Sequence, residues 1–172
     1  MREYALEVAP QGERAIGVRL TYGMIEQHQL WEYLAERMKE GSFCVVRFDR
    51  PPLDCLTSFR MAEKKRSRVF LDQQKSYSFV RRHRAALERT KRLFGDDMAV
   101  VAYRDWLQAP KKWLREIAEY IDLPRDAVSS SRTVTTPSSA FSPGSLRRHL
   151  LNMTTIVAEA PSDVREVLDA DA

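Results

Sequence analysis

The chain has 172 residues, which suits one domain with one sizeable core, and its 44% hydrophobic and 30% charged content is that of a soluble globular protein. No apolar run nears the roughly 20 residues that cross a bilayer, the start Met1–Leu6 has no signal-peptide h-region, and two cysteines, Cys44 and Cys55, exclude a disulfide framework and match no zinc spacing. The net charge is +4 but uneven: cations crowd the stretch from Arg60 to Arg92, so an anionic partner is one reading and a solvated basic helix face the other. A cytoplasmic setting is expected.

In chain order, Ala15–Leu20 is the first of three short apolar runs that read as strands. Ile25, Leu30, Trp31, Leu34 and Met38 then recur at helical spacing and predict one helix that stops near Gly41. Phe43–Phe48 is the second strand. Pro51-Pro52 opens a helix through Leu56 and Met61, and a long basic helix follows from about Lys75 to Phe94. The Gly95-Asp96-Asp97 turn introduces the third strand, Met98–Tyr103. Pro110 starts a helix carrying Trp113, Leu114, Ile117 and Ile121, which stops before Pro124. A polar loop spans about 129–144, a helix follows from about Ser145 to Ala158, and the tail from about 161 to 172 is expected to be mobile. Residues 1–172 are expected to form a single domain. Strands alternating with helices predict an α/β fold, a three-layer parallel sheet flanked by helices, with ligands beyond the carboxyl ends of the strands.

The segment from Val45 to Phe59 carries the most chemistry. A strand ends in a cation, Arg50, a proline turn follows, and Ser58 lies eight positions on, within the next helix. A strand end and a helix can present both groups to one anion: the guanidinium offers a planar fork of donors and the hydroxyl adds one more. The pattern Arg50-x-Pro52-x-Asp54-x-x-x-Ser58 resembles the 3′-phosphate-binding motif of PAPS-dependent sulfotransferases. Three further stretches fall in that family's order: Gly17–Tyr22, Val100–Pro110 with Ile117–Pro124, and Ser145–Asn152.

The resemblance implies a P-loop NTPase-like sulfotransferase fold. It implies transfer of a sulfuryl group from PAPS to a hydroxyl or amine acceptor on a glycan, glycolipid or small metabolite. Arg50 and Ser58 would hold the 3′-phosphate of PAPS or PAP, with Arg132 and Arg19 as weaker cofactor contacts and no metal. The family's 5′-phosphosulfate loop has no counterpart here, so the first βα unit is expected to be missing, by truncation, by a mis-started reading frame or by degeneration. The flank it leaves is expected to favour self-association. The catalytic base is unassigned: His28 and His83 read as ordinary surface histidines, and His149 lies towards the nucleotide end. The alternatives are a non-catalytic relative that binds PAP or another phosphorylated nucleotide, and, less favoured, a basic nucleic-acid-binding module.

Overall fold

The computed structural model describes residues 4–6 and 15–17 by backbone, and residues 20–64, 68–123 and 149–170. β1 (Tyr4–Leu6) pairs antiparallel with β2 (Ala15–Gly17), Tyr4 opposite Gly17. Helices α1 (Tyr22–Gln27) and α2 (Trp31–Lys39) follow, then β3 (Val46–Asp49), α3 (Pro52–Lys64), α4 (Gln73–Phe94), β4 (Ala99–Ala102), α5 (Tyr103–Gln108) and α6 (Pro110–Tyr120). After the undescribed stretch come α7 (Met153–Ala158) and α8 (Ser162–Ala170).

Local chemistry explains most of the boundaries. Thr21 caps α1 by accepting from the Met24 amide at 3.3 Å, and Asp72 caps α4 by accepting from the Lys75 amide at 2.8 Å. Gly95 ends α4 with φ of 56°, a conformation that favours glycine. The stripe from Ile25 to Met38 is two helices instead of one. Gln29 takes φ of 52° between them, and the Trp31 indole donates back to Glu26 at 2.7 Å across the break. Asp122 also adopts a left-handed φ, 58°, just past α6, a position where glycine is the commoner choice.

The expected three-layer α/β sulfotransferase fold is overturned. β3 and β4 do run parallel, Val46 opposite Ala99 and Asp49 opposite Ala102, but among the described residues that sheet has two strands. The first apolar run does not join it: Ala15–Gly17 is bound to Tyr4–Leu6 in a separate antiparallel pair. Phe48 and Val100 remain 47% and 41% exposed, although their register partners Val101 and Arg47 are buried. Both cores are built mainly of helix on helix. One gathers Leu53, Val69, Leu71, Tyr77, Val80, Leu150, Ile156, Val164 and Leu168, from α3, α4, α7, α8 and their flanks. The other gathers Ile25, Trp31, Ala35, Ala86, Phe94 and Met98, from α1, α2 and α4. α4 serves both, Tyr77 and Val80 facing one and Ala86 and Phe94 the other.

The segment after Pro161 forms α8, whose Val164 and Leu168 are buried. The loop before α4 is tied to the chain before α7 by a parallel bridge, Val69 to Leu150, in which the Val69 amide donates to the His149 carbonyl at 2.9 Å. The Asn152 side chain completes the tie, accepting from the Leu71 amide at 3.1 Å and donating to the Leu71 carbonyl at 2.8 Å. Among the described residues no helix is long and apolar enough to cross a membrane.

Candidate functional site

Charged side chains meet at the carboxyl end of β3. Alternation along the strand puts Arg47 and Asp49 on one face and Phe48 on the other. Arg47 is buried and grips Asp49 through one edge of its guanidinium, Nε to Oδ1 at 2.6 Å and Nη2 to Oδ2 at 2.7 Å. Strand alternation alone predicts that Arg47 points away from Arg50's partner or pairs with a nearby acid. Its side-on, two-bond contact is the geometry in which a guanidinium matches a carboxylate best.

Two half-buried rings belong to the same neighbourhood. His83, on α4, stacks with Phe79 at 6.2 Å and meets Tyr22 of α1 edge-on at 5.6 Å. Burial holds the His83 imidazole below the usual histidine range, with Arg47 pushing the same way and Asp49 opposing. Burial likewise pushes the Tyr22 hydroxyl up; Arg47 and a hydrogen bond with Thr90 work against that rise, and Asp49 adds to it. Both rings are therefore neutral near pH 7. His83 is not the ordinary surface histidine expected from the sequence, because α1 covers the face of α4 that carries it.

Arg50 lies one residue past β3. Pro51 behind it disfavours helical backbone, so the strand's alternation carries on through Arg50 and places it on the Phe48 side. The β3–β4 register ends with Asp49 opposite Ala102, so Arg50 and Tyr103 are the next residues along the two chains. Its guanidinium lies over the Tyr103 ring, 4.5 Å from the centroid, a contact that favours the cation. Its Nε and Nη2 are buried and, among the described residues, have no hydrogen-bond acceptor. Tyr103, the last residue of the third strand expected from the sequence and the first residue past β4, is thus the platform of Arg50. Next along, Phe48 meets Trp106 of α5 edge-on at 5.4 Å.

Ser58 is half-buried on the second turn of α3, and among the described residues no hydrogen bond joins it to Arg50. Arg19 and Arg132 lie outside the described residues. His28 is exposed at the end of α1, and His149 lends its carbonyl to the Val69 bridge. Among the described residues no cluster of three or more His, Cys, Asp or Glu side chains could hold a metal ion.

Three of the seven cations of α4 pair with carboxylates of other helices. Arg81 pairs with Asp163 of α8 at 2.6 Å, Arg84 with Glu166 of α8 at 3.5 Å, and Arg89 with Glu32 of α2 at 2.7 Å. Pairing with carboxylates removes much of the excess charge that a nucleic-acid backbone would need.

No protein-family model, curated protein or solved structure matches the chain. The sulfotransferase assignment is therefore withdrawn. A two-stranded sheet among helices is not the multi-stranded sheet on which such a fold holds its nucleotide. PAPS and PAP as ligands, the hydroxyl or amine acceptor, and the related nucleotide-binding alternative go with it. So does the argument for self-association, which rested on the flank of a strand missing from that fold.

Proposed function

We propose that this domain binds a small oxyanion, a carboxylate or a phosphate group, on the Nε–Nη2 edge of Arg50. One observation carries the reading: among the described residues that edge is buried with both donors unmet, while Arg47, three residues earlier on the same chain segment, has the same edge filled by Asp49 and only its Nη1 unmet. A buried charged donor left unpaired is costly, and an anion in side-on geometry would relieve that cost with two charge-assisted bonds. The Tyr103 ring holds the guanidinium in place beforehand, so little side-chain freedom is lost on binding. Two free thiols, Cys44 exposed, suit a reducing compartment, and we read the domain as cytoplasmic.

The test is titration of the full chain with acetate and with inorganic phosphate, followed by the Arg50 Nε–H resonance in nitrogen-15 spectra. Saturable movement of that resonance is expected with at least one of the two anions. Arg50→Lys keeps the charge but loses the fork, and should weaken binding about tenfold. No saturable movement with either anion, or unchanged affinity in Arg50→Lys, overturns the reading.

A further inference from the structure

We infer that the anion taken by Arg50 carries a flat apolar body, an aryl group, and that Phe48 is the surface against which this body lies. The inference rests on the Arg50 reading and deepens it. Phe48 and Arg50 are two residues apart along extended chain and so project from one face, about 7 Å apart at the backbone. Tyr103 and Trp106 are three residues apart on α5 and so share a helix face. These two faces meet as a pair of rungs, Arg50 over Tyr103 at 4.5 Å and Phe48 against Trp106 at 5.4 Å.

The rungs differ in kind. One ends in a cation whose donors lack acceptors. The other ends in a ring that remains 47% exposed although it is already fixed edge-on by an indole. An edge-on pair leaves ring surface available for a second aromatic contact. A molecule that offers both an oxyanion and a ring satisfies the two rungs together. A bare anion would satisfy the first and leave Phe48 in water; a neutral aromatic would satisfy the second and leave the Arg50 donors unpaired. An aryl carboxylate or aryl phosphate is the class that fits.

The experiment pairs each aryl anion with its bare head group: benzoate with acetate, and phenyl phosphate with inorganic phosphate. All four are titrated into the full chain while the Arg50 Nε–H resonance is followed, and the carboxylate and phosphate pairs decide which head the site prefers. Within the preferred pair the aryl member should bind about tenfold more tightly. Phe48→Ser should bring the two members to equal affinity while the bare anion binds as before. Phe48→Leu, which keeps apolar volume but not the flat ring, guards against a folding defect and should cut the ratio at least threefold.

Equal binding of aryl and bare anions through Arg50 overturns the aryl inference and leaves the oxyanion site standing. A tight aryl anion whose advantage survives both Phe48 variants also overturns it. Binding by none of the four removes the oxyanion reading and this one with it.

Discussion

Arg47 and Arg50 sit three residues apart at one strand end and have opposite surroundings. Arg47 is buried with its side-on edge bonded twice to Asp49. Arg50 stands over an aromatic ring with the same edge unbonded. The difference follows from strand alternation: one face of β3 supplies its own carboxylate two residues on, and the other supplies Phe48. A guanidinium that finds an acid within the chain is part of the scaffold. One that finds a ring keeps its donors for something from outside.

The contrast is most sharply broken by swapping each arginine for methionine. Arg47→Met strands the partly buried Asp49, and should destabilise the fold by about 2–3 kcal/mol, somewhat below the cost of breaking a fully buried pair because Asp49 is a third exposed. Arg50→Met keeps the contact with Tyr103 and removes unpaired donors, so stability should change by less than about 1 kcal/mol while anion binding is lost. Denaturant melts of both variants, with anion titrations alongside, check the pair. Equal destabilisation would show that Arg50 is scaffold as well.

His83 tests whether the two sides are independent. Its folded-state pKa is depressed, so the stability tied to its neutral form is fully present above the unfolded value of about 6.5 and is lost as pH falls towards the folded value. The facing groups are Arg47, Asp49 and Tyr22. Melting temperature should therefore fall as the solution is acidified from about pH 7 to about pH 5, and His83→Phe should flatten that part of the profile. Arg50→Met should leave the profile as it is. A slope unchanged in His83→Phe assigns the acid sensitivity elsewhere.

The smallest effect is expected at the pair from Arg81 to Asp163. It is well made, with bonds of 2.6 and 3.1 Å, but its groups lie in solvent. Asp163→Asn should shift the melting temperature slightly in low salt, and the shift should vanish at high salt. A shift that persists in salt would mean that α8 depends on this contact more than on Val164 and Leu168.

Much of the element order was legible in the residues, because the signals are local. Pro52, Gly95 and Pro110 set boundaries of α3, α4 and α6, and the runs around Val46 and Val100 form strands. Partner choice was not legible. Nothing near Ala15 says that it pairs with Leu6 in place of joining β3, and an ordered set of short motifs cannot supply that long-range information. Arg50 stands one residue past β3, where the strand pattern puts it, while Ser58 was linked to it by spacing and by a family resemblance that the fold does not support. Tyr103 and Phe48 entered through the register of β3 on β4, which no one-dimensional pattern contains. The order of α8 lies in the apolar spacing of Val164, Val167 and Leu168, which is that of a helix face.

Helix α4 has 22 residues and reaches about 33 Å, most of the way across a domain of this size. Two apolar clusters lean on it from different ends. Neither can come apart without exposing part of the same rod, so they should not melt in separate steps. Backbone amides in the middle turns of α4 should exchange with solvent only when the whole molecule opens, and so report the global free energy. Amides of α6, which contributes to neither cluster, should exchange through smaller, earlier openings.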